Sequence, residues 1–252
     1  MNYDGLERTY WESQLARVEA LRNKINSRID SLASGNAIPE DDDLALGEGR
    51  RIKMAVLFLD ISKFSSRDME SEAEQNVMLR ALNLYFSEMI KIAEDFGGTV
   101  EKNTGDGLMA YFEDNGGSPP ENGCKRAAAC ALTMFSANQN LITPILVNSG
   151  IKPFDFRISI DYGYVTIAKL GAARRFNQYV AIGTTANFAA KMLSKALPNE
   201  IVIGEAVKVM LPTNWQTQFT FIVPEGSGWI YKNSLLPYNL YRYIGRWAKL
   251  IG

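Results

Sequence analysis

A predicted β-hairpin with an aspartate at its tip constrains this chain more than any other feature. The hairpin covers residues 97–112, with the sequence G-G-T-V-E-K-N-T-G-D-G-L-M-A-Y-F. Side chains alternate on both sides of a turn at residues 104–107, and an Asp-Gly pair between alternating segments is a strong hairpin signal. The turn exposes Asp106 to water, a ligand or a metal ion. A lone Asp-Gly pair is more often a turn former only.

A second aspartate, Asp60, gives Asp106 a potential partner. The apolar run at residues 54–59 predicts a central strand covered on both faces, and Asp60 follows it directly. A carboxylate at that point needs a neutralising partner, because burying it unpaired is costly. Two acids tolerate each other when a cation joins them, and oxygen ligands of this kind suit Mg²⁺ or Mn²⁺. The segment that follows predicts backbone N–H groups leading into a helix, where phosphate binds readily.

Together the two segments resemble the class III nucleotidyl cyclases, whose pattern is an F-x-D-I-x-x-F strand and a G-G-x-x-x-K-x-x-G-D-G hairpin. The resemblance covers residues 51–245. It implies that Asp60 and Asp106 hold two divalent cations per site, Mn²⁺ or Mg²⁺, with the backbone carbonyl of Ile61 as a further ligand. It also implies that the N–H of Phe64 lies against the triphosphate of the substrate.

The order of predicted elements gives an α+β fold. Its centre is a ferredoxin-like β-α-β-β-α-β core like that of the same family, with extra C-terminal strands and an N-terminal helix. We divide the chain into an N-terminal amphipathic helix (residues 1–34), a linker (35–50) and a cyclase domain (51–252). The helix has an apolar stripe that includes Val18 and Leu15, and docking on its own domain or on a partner subunit is favoured over an autonomous coiled coil.

Four further elements are predicted from local patterns. A helix over residues 70–96 buries Leu79, Phe86 and other apolar residues and is closed by two glycines. Another helix is predicted to have prolines in its first turn. Two strands follow, joined by a turn of sequence D-Y-G-Y. The second helix starts at residues 118–120, the strands are residues 156–160 and 165–168, and the turn is residues 161–164.

A third motif lies in residues 179–193, where Asn187 and Lys191 are four apart and share one face of a predicted helix. A polar surface face is the alternative interpretation. By the resemblance, Asn187 matches an asparagine that orients the ribose, and Lys191 stands where most members carry a phosphate-binding arginine; both are catalytic. Lysine supplies a point charge instead of the planar guanidinium of arginine, so its contact with phosphate is less directional. Lys232 matches a lysine that meets the terminal phosphates, with a solvated strand lysine as the alternative.

The predicted base pocket departs from the purine cyclases. Lys102 matches one of their two base-reading residues, but Val180 fills the second position and cannot form a side-chain hydrogen bond. Lys102 remains a donor suited to a ring carbonyl, of which uracil has two and adenine none. With Lys191 and the N-terminal helix, Val180 makes the chain similar to the pyrimidine cyclases of bacterial Pycsar anti-phage defence. UTP is favoured over CTP as the substrate.

Composition excludes several other functions. The chain has no histidine, so imidazole ligands and histidine-activated nucleophiles are excluded. Its formal net charge of −1 gives no electrostatic reason to bind nucleic acid or an anionic membrane. Apolar runs are too short to span a bilayer and the first residues do not form a signal peptide, so we expect a cytoplasmic protein. Cys124 and Cys130 are expected to be two reduced thiols.

The resemblance implies an intramolecular reaction in which the 3′-hydroxyl attacks the α-phosphorus and pyrophosphate leaves. It also implies a head-to-tail homodimer with the active sites at the interface between chains. Two alternatives stay open: a purine cyclase with an atypical base pocket, and an inactive nucleotide-binding or dimerisation module. Retention of both acids, Asn187 and Lys102 disfavours the second, because an inactive copy has no physical reason to keep paired carboxylates.

Overall fold

The computed structural model describes residues 5–26, 49–103, 105–114, 122–173, 176–222, 229–232, 234–247 and 250–251. The helices within these residues are α1 (Arg8–Asn26), α2 (Glu72–Asp95), α3 (Gly123–Ala137), α4 (Thr143–Asn148), α5 (Thr184–Met192), α6 (Glu205–Met210) and α7 (Thr213–Gln216). The strands are β1 (Leu6–Glu7), β2 (Gly49–Ile61), β3 (Thr99–Asn103), β4 (Gly107–Glu113), β5 (Phe156–Ala173), β6 (Phe176–Ile182), β7 (Ile201–Gly204), β8 (Phe219–Ile222), β9 (Leu240–Tyr243) and β10 (Leu250–Ile251).

One mixed sheet forms the centre of the molecule. Its strand order is β3-β4-β2-β5-β7-β9-β8, with β6 paired to β5. The first four strands are antiparallel neighbours and, with α2 and α3, give the β-α-β-β-α-β order of a ferredoxin-like core. The predicted α+β fold and the predicted hairpin are therefore confirmed. Of the helices that the structure describes, none is long and apolar enough to cross a membrane.

β2 lies at the centre of the sheet because both of its faces are apolar. Ala55, Leu57 and Leu59 contribute to a core beneath α1, α2 and α3, whereas Met54 and Val56 contribute to a second core beneath α5. Each of these side chains is at most 1% exposed, as predicted for a strand covered on both sides. We call the two sides of the sheet the α2 face and the α5 face.

The ends of α2 follow from local sequence. Ser71 Oγ accepts a hydrogen bond of 3.2 Å from the N–H of Glu74, and Glu74 Oε2 accepts one of 2.8 Å from the N–H of Ser71. Hydrogen bonds to Ser71 lower the pKa of the Glu74 carboxyl. At the other end Gly97 has a φ of +69°, the left-handed geometry of a glycine that closes a helix.

The turn predicted at residues 161–164 is wrong, because β5 runs through it as one continuous strand. Gly163 in this segment pairs with Met54 of β2. Its conformation is not left-handed, so it does not serve a turn. A Cβ on Gly163 would lie 2.5 Å from Thr185 Oγ1 of α5. This glycine therefore allows α5 to approach the sheet.

Two apolar residues predicted to be buried are exposed: Leu79 of α2 at 43% and Leu15 of α1 at 39%. In each helix the preceding residue is buried instead. Met78 is 8% exposed and Gln14 is 0% exposed. Because one residue corresponds to a rotation of about 100°, a small error in the centre of the stripe moves a residue from core to surface.

α1 docks on α2 of its own domain, as the pattern favoured. Val18 is fully buried in the core of the α2 face. Arg17 donates two hydrogen bonds to the buried carboxylate of Glu88, from Nε at 3.0 Å and from Nη2 at 2.9 Å. The end of the predicted helix and most of the predicted linker lie outside the described residues. β2 begins at Gly49 and so includes the last two residues assigned to that linker.

α3 begins at Gly123, where the side chain of Asn122 accepts a hydrogen bond of 2.8 Å from the N–H of Lys125. The start predicted at residues 118–120 lies outside the described residues. Cys124 and Cys130 are both buried and free of disulfide bonds, which confirms the prediction of two thiols. Burial raises the pKa of both thiols.

Candidate active site

The structure brings Asp60 and Asp106 to the same end of two paired strands. β2 and β4 are antiparallel neighbours, and Asp60 is in register with Gly107, the residue after Asp106. The N–H of Ile61 donates a hydrogen bond of 2.8 Å to the carbonyl oxygen of Asp106. The backbones of the two acids are therefore adjacent. We call this part of the sheet the acid end.

Arg157, which no local sequence pattern indicated, forms an ion pair with Asp60. It lies on β5 directly opposite Asp60, and its Nη2 and Nε approach Oδ2 of the carboxylate at 2.8 and 2.9 Å. Both side chains are partly exposed, 32% for Arg157 and 23% for Asp60. Only the strand register reveals this pair, because the partners are 97 residues apart in the chain.

The residues of the acid end fit a divalent cation. Both nitrogens of Arg157 contact the same oxygen of Asp60, and in the described part of the chain Oδ1 has no hydrogen bond. Two carboxylates and the carbonyl of Ile61 are hard oxygen donors of the kind that Mg²⁺ and Mn²⁺ prefer. Among the described residues, no group of three or more His, Cys, Asp or Glu could hold a metal. Water and substrate phosphates would therefore complete the coordination.

The buried phenol of Tyr85 on α2 also interacts electrostatically with Asp60. Tyr85 is 0% exposed, and its hydroxyl has no hydrogen-bond partner within the described residues. Burial raises the pKa of this phenol well above its ordinary value, and the negative charge of Asp60 acts in the same direction. The hydroxyl therefore stays protonated and remains a potential donor near the acid end.

Phe64 opens a short 3-10 helix, Phe64–Ser66, directly after β2. The preceding Lys63 has a φ of 55°, a left-handed conformation that turns the chain sharply. The ring of Phe64 packs against the core of the α2 face. As the first residue of this helix, Phe64 has an N–H that no intrahelical carbonyl satisfies. The contact of this N–H with phosphate stays a prediction. The long helix α2 begins only at Glu72.

Asn187 and Lys191 lie one turn apart on the exposed side of α5. The opposite side of this helix packs on the sheet through Ala189 and Met192, which are fully buried. Ser159 of β5 also donates a hydrogen bond of 2.6 Å to the carbonyl of Ala189. The predicted shared face of Asn187 and Lys191 is thus present and open to a partner.

Lys232 lies near the tip of a second hairpin on the α5 face. The N–H of Tyr238 donates to the carbonyl of Trp229 at 2.9 Å, and the N–H of Tyr231 donates to the carbonyl of Leu236 at 2.8 Å. We call residues 229–232 and 234–238 the Lys232 hairpin. The lysine side chain is exposed.

The two predicted base-pocket positions are separated in one chain. Lys102 is in register with Met109 of β4, at the level of Phe58 near the acid end of β2. Val180 of β6 is in register with Ala168 of β5, which is level with the first residue of β2. The side chains of Lys102 and Val180 lie outside the described part of the structure. The backbone of a single chain therefore does not place the two positions side by side.

The acid end makes no direct polar contact with the other predicted site residues that the structure describes. Within the described residues, no hydrogen bond or ion pair joins the side chain of Asp60 or Asp106 to that of Asn187, Lys191 or Lys232. The chain thus presents two groups of residues, one at the acid end and one formed by α5 and the Lys232 hairpin.

Residues 49–226 match the adenylate and guanylate cyclase catalytic domain. The chain is 28% identical over 172 residues to an adenylate cyclase of Anabaena cylindrica, a match that covers 66% of this chain and 32% of that protein. It is 26% identical over 166 residues to a uridylate cyclase of Rhodovulum sp. (strain MB263), covering 63% and 65%. The matches thus span less than two thirds of the length of these relatives.

Solved structures give the same fold. The crystal structure of the adenylyl cyclase CyaB from P. aeruginosa superposes with a TM-score of 0.62 at 27% sequence identity. The superposition covers 81% of this chain and 99% of that chain.

Proposed function

The chain belongs to the family of adenylate and guanylate cyclase catalytic domains, and on this premise we propose that it converts UTP into 3′,5′-cyclic UMP and pyrophosphate. The family match supports nucleotide cyclisation. The choice of a pyrimidine is supported by the similarity to a uridylate cyclase and by Val180 at the second base-reading position. A role in anti-phage defence is part of the proposal through the resemblance to Pycsar cyclases.

The observation that carries the proposal is the adjacency of Asp60 and Asp106 beside the guanidinium of Arg157. Two divalent cations held by these acids would lower the pKa of the 3′-hydroxyl and neutralise the triphosphate. Arg157 brings a fixed positive charge to the same place, which favours a polyanionic substrate. By the resemblance to the class III cyclases, the N–H of Phe64 adds a neutral donor to the triphosphate.

The reaction is a single phosphoryl transfer within the substrate. The 3′-oxygen forms a bond to the α-phosphorus, the bond from that phosphorus to the bridging oxygen breaks, and the hydroxyl proton passes to solvent. Asn187 orients the ribose, and Lys191 and Lys232 bind phosphate oxygens that gain charge as pyrophosphate leaves. This scheme needs no histidine base, in agreement with a chain that has none.

We place the active sites between two chains in a head-to-tail homodimer. The resemblance to the class III nucleotidyl cyclases supports this arrangement, and within the described residues of one chain no hydrogen bond or ion pair joins the acid end to Asn187, Lys191 or Lys232. Each site would combine the acid end of one protomer with α5 and the Lys232 hairpin of its partner.

Incubation with each of the four ribonucleoside triphosphates and Mn²⁺ tests the proposal, with the cyclic product identified by mass spectrometry. Cyclic UMP is the expected main product. Asp60→Ala and Asp106→Ala should each abolish product at any Mn²⁺ concentration, whereas Asp68→Ala, an exposed acid outside the site, should retain activity. Product from either variant of the acid end would refute the metal assignment.

A purine cyclase is the second candidate, and the match to an adenylate cyclase favours it. The same four incubations separate the two candidates, because cyclic AMP or cyclic GMP as the main product would replace the pyrimidine assignment. No product from any nucleotide would favour an inactive nucleotide-binding module.

A further inference from the structure

A buried acid, Asp161, lies on the α5 face and takes no part in the mechanism above. It is 3% exposed and is in register with Val56 in the middle of β2, away from the acid end. Its carboxylate accepts hydrogen bonds from the hydroxyl of Tyr238 and from the backbone N–H of Tyr162. Burial raises the pKa of Asp161 to about 7, and these hydrogen bonds act in the opposite direction.

The fold makes room for the contact between Asp161 and Tyr238. A Cβ on Gly204, at the end of β7, would lie 2.3 Å from Tyr238 Oη and 2.4 Å from Asp161 Oδ1. A side chain at this position would therefore separate the two groups. The residue after Tyr238 is also fixed here, because Asn239 Nδ2 donates a hydrogen bond of 3.0 Å to Glu205 Oε2.

Tyr238 connects Asp161 to the predicted substrate contacts. It forms the base of the Lys232 hairpin through its backbone bond to Trp229. Its ring also packs against Phe188 of α5, with centroids 4.4 Å apart, and Phe188 stacks on Trp229 at 5.8 Å. Phe188 directly follows Asn187 in the chain. One aromatic cluster thus joins α5 to the hairpin that carries Lys232.

We propose that Asp161 is a positioning residue that fixes Lys232 relative to α5 for binding the triphosphate, acting through the hydroxyl of Tyr238. The inference rests on the proposed function, because it takes Lys232 and α5 as substrate contacts. Asp161 itself touches no substrate. Without the hydrogen bond, the Lys232 hairpin keeps its apolar contacts with α5 and the bonds between Asn239 and Glu205 but loses the polar contact that fixes Tyr238 on the sheet.

Binding of inorganic tripolyphosphate in the presence of Mn²⁺, measured by calorimetry, tests this role without involving the base. Tyr238→Phe removes only the hydroxyl and is expected to weaken binding by about three- to tenfold, as Lys232→Ala does. The double variant should bind no more weakly than Lys232→Ala alone, because both changes act on the same contact. An unchanged dissociation constant for Tyr238→Phe, or additive losses in the double variant, would overturn the proposal.

Tyr243→Phe is the matched control. Tyr243 is also a buried tyrosine, at 3% exposure, but it belongs to the core of the α2 face. Removal of its hydroxyl should leave tripolyphosphate binding unchanged. If Tyr238→Phe does not fold, as judged by circular dichroism, Asp161→Asn replaces it; this variant keeps the shape but removes the charge. Its binding should fall between wild type and Lys232→Ala, and wild-type binding would contradict the role of Asp161.

The outcomes also separate this inference from the proposed function. If wild type forms cyclic nucleotide and Tyr238→Phe binds tripolyphosphate normally, the inference is wrong and the function stands. If wild type forms no cyclic nucleotide but Tyr238→Phe still weakens binding as Lys232→Ala does, the function is wrong and the positioning role stands.

Discussion

The ion pair between Arg157 and Asp60 has two opposite effects on the proposed site. The guanidinium stabilises the ionised carboxylate, which a metal ligand requires. It also repels a cation that approaches the same carboxylate. The effect of Arg157 on a nucleoside triphosphate is attractive instead, because the guanidinium attracts the phosphates of the substrate. Arg157 should therefore weaken the binding of a metal ion alone and strengthen the binding of nucleotide.

Arg157→Ala should accordingly raise the affinity for Mn²⁺ alone by about three- to tenfold, because it removes one positive charge next to the cation. It should raise KM for the nucleotide in the same protein. Electron paramagnetic resonance measures free Mn²⁺ in the absence of nucleotide. Arg242→Ala is the control, since Arg242 forms a similar ion pair with Glu200 at 2.9 Å away from the acid end. Equal Mn²⁺ affinities for both variants would contradict the assignment.

The proposed pyrimidine preference depends most on Val180. Val180→Asp restores a hydrogen-bonding side chain that could pair with the amino group of adenine, so activity with ATP should rise at least tenfold relative to UTP, about 1.4 kcal/mol. Ile182→Asp is the control, because Ile182 is on the same strand two residues away and is 48% exposed. The ratio of cyclic AMP to cyclic UMP is the measurement. An equal ratio in both variants would mean that Val180 does not line the pocket.

The buried carboxyl of Asp161 predicts a dependence of stability on pH. Its pKa is about 7 in the folded chain and about 3.9 in an unfolded chain. Between these values the folded chain holds a proton that unfolding releases, so stability falls as pH rises. Tyr231, Tyr238 and Cys124 act electrostatically in the same region, and burial raises the pKa of each, so they stay neutral throughout.

Asp161→Asn removes this titrating proton and should therefore reduce the dependence of the unfolding free energy on pH. Between pH 4.5 and pH 7.5, the wild type should lose up to about 3 kcal/mol of unfolding free energy more than the variant. Urea denaturation at both pH values gives the difference. Asp68→Asn, which changes an exposed acid, should follow the wild type. Parallel curves for wild type and Asp161→Asn would show that Asp161 is already ionised in the folded chain.

Local sequence predicted the positions of the two acids in the fold. Asp106 belongs to a hairpin turn, and Asp60 ends an apolar run, so both were found from their neighbours in the chain. Arg157 was missed because its partner is remote in sequence and only the register of β2 with β5 brings them together. Asp161 was assigned to a turn for the same reason, since no local pattern shows that Tyr238 is its partner.

At the level of secondary structure, β5 shows how tertiary contacts override a local signal. The sequence D-Y-G-Y has the composition of a turn, yet ladder pairing with β2 holds it extended. Gly163 allows β5 and α5 to pack closely, because the absence of a side chain leaves room for Thr185 of α5. The helices were easier to predict because capping residues and glycines encode their ends locally, as in α2.

The docking of α1 depends on a polar contact that hydrophobic periodicity does not reveal. Glu88 is fully buried, and Arg17, whose side chain is 22% exposed, is its partner at 2.9 Å. Arg17 also approaches Asp95 at 3.4 Å. A buried carboxylate without its partner is strongly destabilising. The attachment of α1 should therefore be sensitive to a single substitution.

Arg17→Met should lower the unfolding free energy by about 3 kcal/mol, because it leaves Glu88 buried and unpaired. Arg17→Met combined with Glu88→Gln should recover part of this loss, since the buried charge is then absent. Urea denaturation provides the measurement. The matched control is Arg8→Met, which breaks an ion pair whose side chains are 69% and 63% exposed and should cost less than about 1 kcal/mol. Equal losses in both variants would mean that α1 is not held by Arg17.

The described residues of the molecule present two groups of predicted site residues on one sheet. The acid end requires β2, β4 and β5, whereas α5 and the Lys232 hairpin pack on the α5 face around Tyr238. In a head-to-tail dimer both groups of each chain would be used, but in different sites. A chain that lacks one group can then supply the other to its partner.

Mixing experiments test this arrangement. Asp60→Asn and Asn187→Ala should each be inactive alone, but an equal mixture should recover about a quarter of wild-type activity, because half of the dimers are mixed and each has one intact site. The control is an equal mixture of wild type with the double variant Asp60→Asn and Asn187→Ala. In that mixture every mixed dimer has two damaged sites, so about a quarter of wild-type activity should again remain. Sites contained within single chains would instead give no recovery in the first mixture and about half of the activity in the second, and that pattern would refute the shared site.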